Sequence, residues 1–415
     1  MNMTSDKLAD RRIPAGNDFL APEAVAAMSP TELVARVTAL KPMIAAASAE
    51  AERLRRPVDA VWDALRATGY FYMYVPRKFG GLEFDPQTYI DATLAICEAC
   101  PSTGWTASFA AEHNWLIAQF PEQTQAEVWG HTPYVIAPSV AAPPGKAVRV
   151  DGGFRISGRW KFGTVVMHAD WVMLNAMEDM GEGKPPIVRM ILTRAEDVKV
   201  LDTWFMSGMA ATGSNDIVAE DLFVPAAYTF VVSEVRTGRG NGSRIHDNPL
   251  YSAPMLPQLC VTAALPSVGA ARAAVELSRQ RLTVHTKMGG QSTQVDKPAA
   301  QMRLARADLM VRSAELSIRQ AADENLTLST LSDEEQLPHR LRLRAQIAYA
   351  VSQCLEAVRT CCDSSGSGLY ALDNPMQRIL RDIEVMASHI VYDMDVSTEL
   401  HGRSMVGLAP NSLLT

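Results

Sequence analysis

Residues 154–174 read FRISGRWKFGTVVMHADWVML, a stretch that starts as a strand, breaks at Gly163-Thr164 inside an apolar run, and resumes. Ahead of it Asp151-Gly152 supplies the positive φ of a tight turn, so "AVRV" (147–150) and "FRISGRWKF" (154–162) form a hairpin. "YVIAPSV" (134–140), "DWVML" (170–174), "PIVRMIL" (186–192), "DVKVL" (197–201) and "DIVAEDLFV" (216–224) extend the series. Strands without interspersed helices predict an antiparallel β domain and exclude a Rossmann arrangement.

Both flanks are helical. Upstream, Ser29-Pro30-Thr31-Glu32 is a capping box with proline at the first helical position, followed by Leu33, Val34, Val37 and Leu40 at helix spacing. A helix through Val61-Trp62 to Leu65 stops at Gly69, "VPRKFGG" (75–81) is a loop, and "YIDATLAICEAC" and "GWTASFAAEHNWLIAQF" are further helices. Downstream, helices are expected over 261–283, 299–322, 338–362 and 374 to about 400, an antiparallel bundle. Between them "TGRGNGSR" resembles a phosphate loop only superficially, because no buried strand leads in and no capped helix follows; it reads as a flexible linker. The expected organisation is residues 1–25 as a flexible N-terminus, 26–132 helical, 133–235 β, 236–250 linker and 251–415 helical bundle: an α+β, mostly α, fold.

The 415 residues carry a formal net charge of −7 and are 47% hydrophobic. Such a chain offers no clustered Lys/Arg for nucleic acid or an anionic membrane, and no segment reads as a membrane span. The polar start, MNMTSDKLADRR, has no apolar core of a signal peptide, so a cytoplasmic protein is expected. Six irregularly spaced cysteines exclude a secreted disulfide framework, and Cys97-x-x-Cys100 lies in a helix with no second ligand pair, which favours two buried small hydrophobes over a metal site.

Four polar residues stand out, each with a plain alternative. His389, three residues after Met386 in "RDIEVMASHIVYDMD", falls on or beside the face formed by Ile383, Met386 and Ile390, and is either a satisfied core histidine or a base. His113 is a functional group or an exposed helix residue, Ser139 a site residue or a turn, Thr164 a ligand contact or an ordinary strand residue. Trp105, His113, Trp115 and Phe205 suggest an aromatic-lined space, although aromatics at helical spacing more often build core.

In their order, "CPSTGWTASFAAEHNW", "VRVDGGFRISGRWKFGTVVMHADWV", "DTWFMSGMAATGSNDIVAEDLFVP" and "SGSGLYALDNPMQRILRDIEVMASH" resemble the oxygenase components of two-component flavin-dependent monooxygenases, which have the acyl-CoA dehydrogenase fold. The resemblance spans roughly residues 62–410 and implies helical, β and helical-bundle domains assembled as a homotetramer. It implies reduced flavin (FADH2 or FMNH2) and O2, hydroxylation of a small phenolic or indole-like substrate through a flavin C4a-hydroperoxide, and a separate NAD(P)H-dependent flavin reductase. That no dinucleotide fingerprint is visible agrees with reduced flavin arriving from elsewhere.

By the same resemblance, small residues at Gly163-Thr164 let the backbone approach the flavin, with the Thr164 hydroxyl near its N5, where many relatives read Ser-Ser-Gly. Trp204 lies against the flavin and Thr212 and Ser214 in the following loop, while Ala210 stands where the family often has Arg or Lys. His389, whose imidazole is expected to be poised near neutral pH, is the base, and His113 and Ser139 match positions on the substrate side; Trp105 is placed there as part of the aromatic-lined space, Ser367 in "DSSGSG" is a candidate for the flavin phosphate from a neighbouring subunit, and Arg281 is either another phosphate partner or an exposed solubilising arginine. The alternatives are an acyl-CoA dehydrogenase, with Glu384 as a possible carboxylate base, an N- or S-oxygenating relative, and a non-catalytic scaffold.

Overall fold

The computed structural model describes residues 19–284, 294–363 and 365–412. The upstream helices are α1 (Pro22–Ala27), α2 (Pro30–Thr38), α3 (Lys41–Leu54), α4 (Asp59–Thr68), α5 (Pro86–Ala99), α6 (Pro101–Ile117) and α7 (Glu122–His131). Ser29 caps α2 by accepting from Glu32 N–H at 3.2 Å, and Gly69, at φ 93°, closes α4. Helix α3 is absent from the sequence reading because it is alanine-rich and buries only Ile44 and Ala51, too weak a stripe to register as periodic.

The sheet comprises β1 (Ser139–Val150), β2 (Gly153–Gly163), β3 (Trp171–Glu178), β4 (Ile187–Arg194), β5 (Lys199–Leu201), β6 (Asn215–Pro225) and β7 (Thr229–Val231), in the order β5-β6-β2-β1-β3-β4-β7. The 151–152 turn forms as expected, with Gly152 at φ 74°. One pairing departs from the antiparallel expectation: β1 and β3 run parallel, because β2 leaves on one side of β1 and the chain returns to its other edge in the original direction. Of "YVIAPSV", only Ser139 and Val140 lie in a strand; Tyr134 to Ala137 are buried between the sheet and the helices.

The expected flexible linker is folded. Helix α8 (Val232–Arg236) leads into it and α9 (Asn241–Ile245) occupies it, and Gly240 and Gly242 press on the Gln119 side chain, where a Cβ would collide. The bundle follows as α10 (Met255–Val284), α11 (Pro298–Asn325), α12 (Asp333–Asp363), α13 (Pro375–Ala387) and α14 (Met394–Met405). The last expected helix is therefore two, broken across 388–393. Ile383 and Met386 are buried, but Ile390 lies within the break and is 58% exposed, so it does not share their face.

Helix α10 is long and apolar enough to cross a membrane, contrary to the sequence reading, but 78% of its apolar window is buried within the protein. It packs on α5, α6, α11 and α12 as a core helix. Cys97 on α5 sits where Gly104 of α6 and Gly269 of α10 lack a side chain and so fills a tight helix contact, and Cys100 is likewise buried. One apolar core joins the two helical parts, and the sheet has a second around Trp160, Ile156 and Leu174.

Candidate active site

The site begins at the break in the opening stretch. Strand β2 ends at Gly163, where an added Cβ would lie 2.9 Å from both the Asn215 carbonyl oxygen and Ile217 Cδ1, so β6 itself demands glycine there. Around it Phe162 (φ 66°) and Val165 (φ 77°) adopt the left-handed conformation that side chains disfavour, strain of the kind that collects at ligand sites.

The half-buried Thr164 between them joins a line of hydroxyls. Its Oγ1 lies 2.9 Å from Ser214 Oγ, and Ser214 Oγ lies 2.8 Å from Thr212 Oγ1. Thr212 donates to the Met209 carbonyl at 3.0 Å, and the Trp204 indole N–H donates to the same oxygen at 2.9 Å. Thus four residues expected at one cofactor, Thr164, Trp204, Thr212 and Ser214, form one connected network.

Helix α6 supplies the opposing wall. Cys100 is extended and Pro101 starts the helix, which sets Trp105, Phe109 and His113 at four-residue spacing on one face. Ring centroids are 5.0 Å apart for Trp105 and Phe109 and 5.2 Å for Phe109 and His113. Trp105 donates its indole N–H to Thr164 Oγ1 at 3.2 Å and meets His389 edge-on at 5.7 Å.

His389 lies beyond the end of α13, not on it. It starts the single turn Ile390–Tyr392, with Nδ1 3.5 Å from the Val391 N–H, the outer limit of a hydrogen bond. Buried Arg344 of α12 donates to the Ile390 carbonyl and Tyr392 donates to the Cys260 carbonyl, fixing this turn against the bundle. Burial lowers the imidazole to about 4, because a charged ring is poorly solvated there. The expectation of a base poised near neutrality is thereby corrected: His389 is uncharged throughout the physiological range.

His113 is buried, which overturns the exposed-helix alternative. Its Nδ1 lies 2.5 Å from the Ala137 carbonyl, an acceptor, so Nδ1 carries the proton and Nε2 the lone pair; burial holds the ring at about 4. Ser139, two residues beyond Ala137, opens β1 and points its hydroxyl at Met190 Sδ, 3.9 Å away. Arg281, near the end of α10 with Nε buried and unpartnered, and Ser367, exposed in the turn Ser367–Tyr370, have no contact with the Thr164–His389 cluster among the described residues.

Sequence reasoning missed Phe109, Glu112 and the pair Ser102–Asp382. Glu112 is fully buried beside His113, its oxygens without hydrogen-bond partners, and burial raises it to about 8. Asp382 Oδ2 accepts from Ser102 at 2.8 Å and Oδ1 from Met209 N–H at 2.6 Å. Ser102 lies one helical turn before Trp105, a spacing that marks it as a neighbour; nothing local marks Asp382. Glu384 is spent on the surface, bonded by Arg359 at 2.9 and 2.8 Å, and is not a base aimed inward.

The residues fit a flavin. A row of hydroxyls beside the Trp204 indole suits the hydrogen-bonding edge and flat face of the ring system, and Phe162 (60% exposed) and Phe205 (58% exposed) leave apolar surface uncovered beside it.

Comparison with known proteins agrees. Residues 32–131 match the family of acyl-CoA dehydrogenase N-terminal domains, and residues 261–394 that of acyl-CoA dehydrogenase C-terminal domains. A pigment production hydroxylase from a Rhodococcus species is 35% identical over 91% of this chain and 97% of its own length. The oxygenase component of an FADH2-dependent resorcinol hydroxylase from a Rhizobium species is 32% identical, covering 94% and 98% respectively. The structure of XiaF from a Streptomyces species, in complex with FADH2 and glycerol, superposes with a TM-score of 0.84 at 31% identity, over 92% of this chain and 97% of that one.

Proposed function

The chain belongs to the oxygenase components of flavin-dependent monooxygenases with acyl-CoA dehydrogenase domains, and from that premise we propose which of its residues carry the hydroxylation of a small phenolic or indole-like substrate. It is an enzyme that uses reduced flavin and O2, with the flavin reduced by a separate reductase. Bound flavin supplies the two electrons with which one atom of dioxygen enters the ring and the other leaves as water.

Thr164, Ser214, Thr212 and Trp204 hold the flavin ring by the hydroxyl line and the indole. His389 takes the proton of the substrate hydroxyl or ring N–H, whose removal makes the arene a stronger nucleophile; burial keeps the ring uncharged and able to accept while making it a weaker base than a free imidazole. His113, with its Nε2 lone pair, accepts from a second polar group on the substrate, and Ser139 lies beside it. Trp105 and Phe109 line the ring slot and exclude water, which would divert oxygen to hydrogen peroxide. Arg281 and Ser367 serve the flavin phosphate, Ser367 from a neighbouring subunit.

One observation carries this assignment. Trp105 meets the base at one edge and hydrogen-bonds the flavin-side hydroxyl line at the other, so the two halves of the chemistry share a single wall.

The homotetramer expected from the resemblance is supported by one feature of the bundle surface. Met302, Leu309 and Leu316, seven residues apart along α11, are 71%, 66% and 68% exposed, an apolar stripe that a second copy would cover. Six buried cysteines, none in a disulfide, and a need for reductant accord with the cytoplasm.

The test is a panel of phenols and indoles incubated with a surrogate NAD(P)H-dependent reductase. Product that requires the reductase and free flavin supports the assignment; oxidation of an acyl-CoA in place of every arene sinks it.

A further inference from the structure

Three contacts pin the loop 204–214 to helix α13. The Arg381 guanidinium donates to the Ser207 carbonyl at 2.5 Å. Gly208 lies so close to the Arg381 carbonyl that any Cβ would overlap it. Met209, held at φ 57° where a side chain is strained, donates its N–H to Asp382 Oδ1 at 2.6 Å.

The same Met209 turns its carbonyl to both Trp204 and Thr212, the start of the hydroxyl line. The other oxygen of Asp382 holds Ser102, one turn from Trp105. A ring of bonds therefore closes from Asp382 through Met209, Thr212, Ser214, Thr164 and Trp105, along α6 to Ser102, and back.

We propose that Asp382 is a positioning residue: its carboxylate sets the loop that presents Trp204, Thr212 and Ser214, and its ionisation decides whether that loop is locked. The proposal rests on the reading of this loop as the flavin side of the site. A charged acceptor bonds an N–H roughly twice as strongly as a neutral one, so protonation loosens Met209 while leaving the fold intact.

Burial raises Asp382 to about 6, against the pull of Met209 N–H and the Ser102 hydroxyl toward the charged form. The groups facing it are Glu52 of α3, which raises it, Arg381, which lowers it, and Cys100 with Arg378 nearby. The carboxylate is therefore ionised above about pH 6 and neutral below.

Hydrogen exchange of residues 203–214 in the flavin-free protein, corrected for intrinsic rates, reads the lock directly. In the natural protein, protection should fall about tenfold as pH drops through 6. In Asp382→Asn it should be low and independent of pH. In Ser102→Ala, which removes one donor to the carboxylate, the transition should move to higher pH.

Wild-type protection with a wild-type pH profile in Asp382→Asn overturns the proposal. Should that variant not fold, an unmoved transition in Ser102→Ala does so. Anaerobic titration with reduced FAD and FMN separates the underlying reading: the expected exchange pattern in a protein that binds neither flavin refutes the flavin assignment of the loop and leaves the lock standing.

Discussion

Trp105 donates its indole N–H to the Thr164 hydroxyl across 3.2 Å, tying helix α6 to the break in the sheet. The bond gives Thr164 a fixed donor on one side and the Ser214 hydroxyl on the other, so its lone pairs and proton have defined directions.

Thr164→Val keeps the shape and deletes the hydroxyl. It leaves the Trp105 N–H without its acceptor, which costs about 1–3 kcal/mol and lowers the melting temperature. Product formed per flavin oxidised should drop about tenfold, with the balance appearing as hydrogen peroxide. Unchanged coupling would remove Thr164 from the flavin side.

His389→Gln should lower phenol hydroxylation by about 10²–10⁴-fold while reduced flavin is still consumed by oxygen. Because burial depresses the imidazole from 6.5 to about 4, its carbon-13 resonance in the flavin-free protein should stay constant from pH 8 to 5 and move only near 4. A titration centred at 6.5 would show that the ring is solvated.

Stability should peak at about pH 7. His113, His168, His246 and His389 are lowered to about 4, 3, 4 and 4 by burial, so the unfolded chain binds protons first and stability is lost as pH falls from 6.5. Glu112 has the opposite sign: raised from 4.5 to about 8, it binds its proton more tightly when folded, and stability is lost as pH rises toward 8. Glu112→Gln should therefore gain in melting temperature between pH 7 and 8, where the natural protein declines. Parallel declines in both would place the titration elsewhere.

Leu309→Lys puts a charge in the exposed stripe of α11. Sedimentation should shift to smaller species, with the helical content retained. An unchanged assembly would locate the subunit contact on another face.

Local chemistry made much of the fold legible. The Ser29 cap, the Asp151-Gly152 turn and the hairpin it closes each depend on neighbours in the chain, and all three formed. What stayed hidden depends on distant partners. The parallel β1–β3 pairing is a matter of topology, and the break that frees His389 from α13 is held by Arg344 and by Tyr392's bond to Cys260. Likewise, 173 residues separate Met209 from Asp382, so no window of sequence brings them together. The resemblance named Thr164, Trp204, Thr212 and Ser214 singly; only the structure shows them bonded in one line. The depression of His389 comes from its surroundings in the folded chain, which its sequence neighbours do not specify.

The most direct measurement is a single turnover in isotope-labelled dioxygen, with pre-reduced flavin, a phenol or indole accepted in the panel, and no nicotinamide or reductase present. The account predicts a hydroxylated ring carrying the heavy isotope, in an amount approaching the flavin supplied. Oxidised flavin and hydrogen peroxide alone, or a hydroxyl bearing oxygen from water, would contradict it.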